Sequence, residues 1–402
     1  KDKGPRVMIT KSEYEQRVAG LKTRLSENGL EAFIVSEPES IYYFTGASYK
    51  VLERPFFIVV RPAADSILLV PKLEETHMTK AQIGEVVAYW EYPAPPGCRW
   101  TDKIGNILSG TGKVGVEPGL SVENFQRIGA LDGCSPVVAD LVANLRLAKS
   151  PAEIEMIREA ARYADRGMAL MMAAAYYGVS VLEMFALSKK LQLDVIKTGA
   201  FDPLQTEFLT AAWPAPFSAK PHGVPPVSAK LEAGPLVAMS YLRVNGYAAE
   251  CERTFFLASP DKKQRAMFAA MRAARRRAFE IVKPGTRCAD VDKAAMAHLK
   301  KKGYGDCLLH RTGHGIGQGN HEGPWVAEGG EHILAENMVI SVEPGIYIPD
   351  IGGVRHSDTV RVTADGYECL TTYPDDLESL TLLETRMIKK VKGRAVRRYL
   401  GI

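Results

Sequence analysis

The stretch LVAMSYLRVNGYAAECERTFFLA (236–258) restricts the fold more than any other part of this chain. Two β-rich runs meet at Asn245-Gly246, a pair that supplies the positive φ values of a type I′ turn, so they fold back on each other as an antiparallel hairpin. Residues two apart on a strand share a face, which points Glu250 and Glu252 one way and Cys251 the other. The flank TFFLA reads as a buried strand. Two carboxylates on such a strand are expected to line a cavity rather than meet solvent.

The hairpin sits in the second of two regions. At roughly 150 residues per domain, 402 residues make two or three domains. The first region alternates a helical repeat, KSEYEQRVAGLKTRLSENG, with short apolar runs LEAFIVS, FFIVVRP and DSILLVP, the pattern of an α/β layer. A boundary is expected at LRLAKSPAEIE (145–155). There Ser150 is a good N-cap, Pro151 suits the first helical position, and Glu153 completes a capping box. A long helix should start at that point, followed by an α+β pattern. The basic run Arg272 to Arg277 shares its helix with Met267, Phe268 and Met271, and is expected to be a solvated face.

Composition excludes some classes. Hydrophobic residues at 46% and charged residues at 24% are the balance of a globular chain, and 51 Lys+Arg against 47 Asp+Glu leave too little net charge for a nucleic-acid-binding arm. No apolar run is long enough for a membrane span, and KDKGPRVMITKSEYEQR has no apolar core of a signal peptide. Six cysteines are scattered without a CxxC pair, which suits a reducing compartment. A cytoplasmic protein with no membrane and no nucleic-acid partner is expected.

Four segments carry chemistry: AKPHGVP with His222, the hairpin with Glu250 and Glu252, HRTGHGIGQGNHEGPW with His310, His314 and His321, and SVEPGIY with Glu343 followed by GGVRHSDTV with His356 and Asp358. Histidines held among glycines are seldom packing residues, so these segments are expected to converge on a catalytic site.

SVEPGIY, HRTGHGIG followed by NHEGPW, LRLAKSPAEIEMIR and GGVRHSDTVRVT closely resemble the family that contains creatinase, prolidase, aminopeptidase P and methionine aminopeptidase. The resemblance extends over almost the whole chain. It implies an α+β protein with a three-layer α/β creatinase-like N-terminal domain (1–148) and a pita-bread catalytic domain (149–402). It also implies a homodimer in which one chain's N-terminal domain covers the partner's active site.

Departures from the family pattern shape the expected function. Peptidases of this family use five metal ligands, and three of the positions fall here on Glu250, His314 and Glu343. The other two fall on Met239, eleven residues before Glu250, and on Ser357. A two-metal site needs carboxylates that bridge both ions, and a thioether and a neutral hydroxyl do not supply them. Creatinase, a metal-free relative, resembles this chain at Glu252, at His222 and at Arg54, but its second guanidinium-binding Glu falls on His356 and its carboxylate-binding Arg near Ala327.

The resulting expectation is a metal-independent hydrolase of a carbon-nitrogen bond in a small zwitterionic or amidine-type compound, similar to creatinase or ectoine hydrolase, with no cofactor and no metal. His222, Glu252 and Glu343 are its expected catalytic residues, with His222 the proton shuttle. Arg54, Glu250, His314, His321 and His356 are expected to bind substrate, Arg54 from across the homodimer. The alternatives are a metal-dependent Xaa-Pro dipeptidase or aminopeptidase with an atypical mononuclear site, and a catalytically silent binding module.

Overall fold

The computed structural model describes residues 8–198 and 201–383, together with 391, 393–395 and 398. The first seven residues, part of the stretch read for a leader, lie outside them. Among the described residues no helix is long and apolar enough to cross a membrane. The chain divides into two compact units, Lys1–Arg146 and Leu147–Ile402.

The first unit is built on β1 (Ala32–Val35), β2 (Phe57–Val60), β3 (Ile67–Pro71), β4 (Glu85–Tyr89), β5 (Lys113–Val116) and β6 (Ser135–Val138), in the order β4-β3-β2-β1-β5-β6. The β1 strand pairs parallel with β5 and antiparallel with β2. Alternate residues enter separate cores. Phe33, Val35, Ile58 and Val60 pack with Leu21 and Phe44 on one face, and Ala32, Ile34, Phe57 and Val59 pack with Trp100 and Ile104 on the other. Strands buried on both faces become continuous apolar runs, which is why this unit reads as AFIV, FIVV and ILLVP and has three layers.

The second unit adopts the pita-bread architecture. Its long helix, Pro151–Ala174, starts where the sequence placed it: Ser150 accepts from the Glu153 backbone N–H while the Glu153 carboxylate accepts from that of Ser150. A short pair, β7 (Val179–Ser180) and β9 (Lys230–Leu231), lies outside the main sheet. That sheet runs β13 (Glu322–Val326), β12 (Gly313–Gly315), β14 (Val339–Ser341), β17 (Ser357–Val362), β11 (Tyr247–Phe255), β10 (Leu236–Val244) and β8 (Glu207–Trp213), with β18 (Tyr367–Cys369) on β17. A hairpin of β15 (Gly345–Ile348) and β16 (Gly352–Arg355) stands beside it. The turn between β10 and β11 has positive φ at Asn245 and Gly246, as Asn-Gly requires.

The basic helix Lys262–Phe279 departs from its expected solvated face. Arg275 is buried, and its guanidinium pairs with Asp358 on β17. Arg253 from β11 pairs with the same carboxylate at 2.8 Å. Two strands and a helix are thus joined through one buried Asp, which no spacing along the chain reveals.

Candidate active site

A strand has two faces, and on β11 the alternation sorts the charges. Glu250 and Glu252 face a cavity of about 620 Å³, while Cys251 is fully buried and Arg253 turns to Asp358 behind the sheet. On the neighbouring β17, Ser357 is paired in register with Glu252, and its hydroxyl donates to Glu250 Oε1 at 2.8 Å. The preceding Arg355 shares that face and grips Glu252. Its Nη2 donates to Oε1 at 2.7 Å, and its Nε faces Oε2.

His314 is delivered by β12, the GHG strand squeezed between β13 and β14. A Cβ on Gly313 would lie 2.1 Å from the Ser341 carbonyl oxygen, and one on Gly315 would lie 1.9 Å from that of Gly323, so only glycine fits on either side of the histidine. The His314 Nδ1 faces the Gly315 carbonyl at 3.1 Å, which makes it the donor. Its Nε2 points to Glu343 Oε1 at 3.2 Å and Glu250 Oε1 at 3.8 Å. His321 stacks on it with ring centroids 3.8 Å apart.

The ionisation states follow from this packing. Burial works against a charged His314, but the Glu343 hydrogen bond and the Glu250 charge raise it to about 9. Glu343 pays a burial penalty that His314 and Arg355 reverse, bringing it down to about 2. Burial raises Glu250 and Glu252, the latter against the pull of Arg355. His321 is lowered to about 4 by burial and by His314. His310 completes a second chain. Its Nδ1 donates to the Arg311 carbonyl at 2.7 Å and its Nε2 accepts from the Tyr347 hydroxyl at 2.7 Å, which in turn accepts from Arg355.

The ligand atoms of Glu250, His314 and Glu343 all lie within 4.8 Å of one another. An oxygen, nitrogen, oxygen set of this kind suits a single divalent ion. A second ion does not fit, because Met239 and Ser357 provide no anionic oxygen and the Arg355 guanidinium already neutralises Glu252.

Family models place this arrangement. Residues 155–364 match Metallopeptidase family M24, and residues 17–148 match the Creatinase/Prolidase N-terminal domain. The chain belongs to metallopeptidase family M24. It is a hydrolase of carbon-nitrogen bonds. It is similar to the Xaa-Pro dipeptidase of Pyrococcus furiosus, at 33% identity over 89% of this chain and 98% of that protein. The Xaa-Pro dipeptidase of Lactobacillus delbrueckii subsp. lactis is 31% identical over 90% and 99%. Among solved structures, the prolidase from Pyrococcus horikoshii OT3 superposes with a TM-score of 0.78 at 27% identity, covering 90% of this chain and 99% of that one.

These relatives overturn the metal-independent, creatinase-like function expected from Met239 and Ser357. Loss of two ligands weighed too heavily there, because a three-ligand cluster survives intact.

The structure brings Glu250, Glu252, His314, His321 and Glu343 together, with His222 exposed at the cavity wall. It corrects two expected roles. Both Glu252 oxygens face Arg355, so its charge is spent on an internal cation rather than on a substrate. His356, between β16 and β17, is fully buried and edge-on to Phe268 at 5.1 Å, because the alternation that turns Arg355 to Glu252 and Ser357 to Glu250 turns His356 away. Arg54, in the first unit, pairs with Glu91 at 3.0 Å and Glu53 at 2.8 Å. Sequence reasoning missed Arg355, Arg311 and Tyr347. The signal for Arg355 was its position two residues before Ser357, on the same face.

Proposed function

We propose that this protein is a metal-dependent Xaa-Pro dipeptidase working with one divalent ion held by Glu250, His314 and Glu343. The observation that carries the reading is the oxygen, nitrogen, oxygen cluster at the wall of a cavity of dipeptide size. The names of the relatives supply the substrate class. When bound, the ion supplies a Lewis acid and a water acidified toward neutral pH. Trp213, Pro221, Met239 and Ala327 give the cavity apolar walls that suit a pyrrolidine ring. Arg355, locked by Glu252, holds positive charge beside Glu343 without needing a second ion. His222 lines the same cavity and is positioned to pass a proton to the leaving nitrogen.

Supported by a resemblance that runs through both units, the proposal includes a homodimer, which light scattering after size exclusion would read. The functional test is hydrolysis of glycyl-proline after chelation and after return of manganese, cobalt or zinc. The reading expects cleavage lost on chelation, restored by metal, and one ion per chain by elemental analysis. Cleavage indifferent to chelator, or no cleavage of any Xaa-Pro dipeptide, refutes it.

A further inference from the structure

Charge in the cavity is unevenly satisfied. Each cavity carboxylate has a partner within the protein: Glu250 and Glu343 face His314, and Glu252 faces Arg355. One cation remains. Arg311 lines the cavity, is half-buried, and its guanidinium lies over the Trp325 ring at 4.4 Å. Among the described residues its side chain has no carboxylate partner, whereas Arg54 already has two.

We infer that Arg311, propped on Trp325, is the group that receives the substrate's terminal carboxylate and so restricts this enzyme to substrates with a free C-terminus. The inference rests on the dipeptidase reading and adds a specificity residue to it. Three features support the assignment. Stacking on an aromatic face fixes the guanidinium plane while leaving its N–H edge open. A planar guanidinium matches a carboxylate through two parallel hydrogen bonds, which a lysine cannot reproduce. The backbone of Arg311 is pinned as well: its carbonyl accepts from His310, and the adjacent Thr312 N–H donates to the buried Asp292 at 2.8 Å. The side chain is thus presented from a fixed base, two residues before the GHG strand that carries His314. A carboxylate held there would place the rest of a dipeptide across the same cavity wall as Glu250 and Glu343.

A charge-assisted bidentate contact of this kind is worth on the order of 10- to 100-fold in affinity. The experiment compares glycyl-proline with glycyl-prolinamide on the unaltered enzyme and on Arg311→Ala and Arg311→Lys, with thermal melts confirming folding. The expected result is a preference for the free acid in the unaltered enzyme and a 10- to 100-fold rise in KM for that substrate in Arg311→Ala. The amide should change less than twofold, and Arg311→Lys should recover only part of the loss. Equal losses on acid and amide, or none on either, overturn the inference. Calorimetric titration with L-proline and L-prolinamide separates this result from failure of the dipeptidase reading, since it needs no turnover. Proline binding that Arg311→Ala abolishes upholds the anchor even if no dipeptide is cleaved. Proline that fails to bind the unaltered protein, or binds Arg311→Ala as well, sinks it.

Discussion

Arg355→Met is the most informative single perturbation of this site. Arg355 is 6% exposed and Glu252 2%, and the two share a two-pronged contact. Removing one partner of a buried ion pair strands the other charge, a loss of about 3–5 kcal/mol. Here the stranded group has an escape, because burial already pushes the Glu252 carboxyl upward and only the pull of Arg355 opposes it. It can take up a proton, so the lower end, about 3 kcal/mol, is expected near pH 7. The pH dependence has a definite sign. In the variant the folded-state pKa of Glu252 rises further above its unfolded value, so that carboxyl favours folding below the usual carboxylate range. The advantage disappears as pH climbs through the folded value, and the gap between variant and parent should widen from pH 6 to pH 9. The double variant Glu252→Gln/Arg355→Met removes both charges and should return to within about 1 kcal/mol of the parent. Urea unfolding followed by tryptophan fluorescence at the three pH values reads all of this. A double variant no more stable than Arg355→Met, or a gap that does not move with pH, would refute the reasoning.

Other consequences are independent. His356→Leu replaces a fully buried imidazole; burial, with Arg253 and Arg275 nearby, holds its folded pKa well below the usual value, so its contribution is present above about pH 6.5 and lost as pH falls, and the variant's melting temperature should gain most on the parent near pH 5. Ser150→Ala breaks the capping box of the Pro151–Ala174 helix and should cost about 0.5–2 kcal/mol in urea unfolding, with Ser150→Asp losing much less. Met239→Asp with Ser357→Glu restores anionic oxygens at the two lost ligand positions and should raise bound manganese by elemental analysis above the single ion of the parent before it raises activity, because the groups that orient a metal site have not been rebuilt. A count that stays at one would show that Arg355, rather than the missing ligands, bars the second ion.

How much of this was legible in the chain depends on the range of the interactions. Local rules sufficed for the capping box at Ser150, the Asn245-Gly246 turn, and the shared face of Glu250 and Glu252, since each depends on residues a few positions apart. Long motifs around His314 and Glu343 likewise identified the family and the fold. The site's charge balance was not legible. Arg355 meets Glu252 across 103 positions, and that contact turns a carboxylate expected to be catalytic into the holder of an internal cation. The same alternation was available for His356, but the sequence does not say which face of the extended chain from β16 into β17 looks toward Glu250 and Glu252. Arg275 carried the same ambiguity: a basic helix run reads as solvated until Asp358 arrives from a strand 83 residues away. Periodicity along the chain determined which residues share a face. What lies opposite that face was decided only by the tertiary structure, because a buried charge takes its role from the partner that neutralises it.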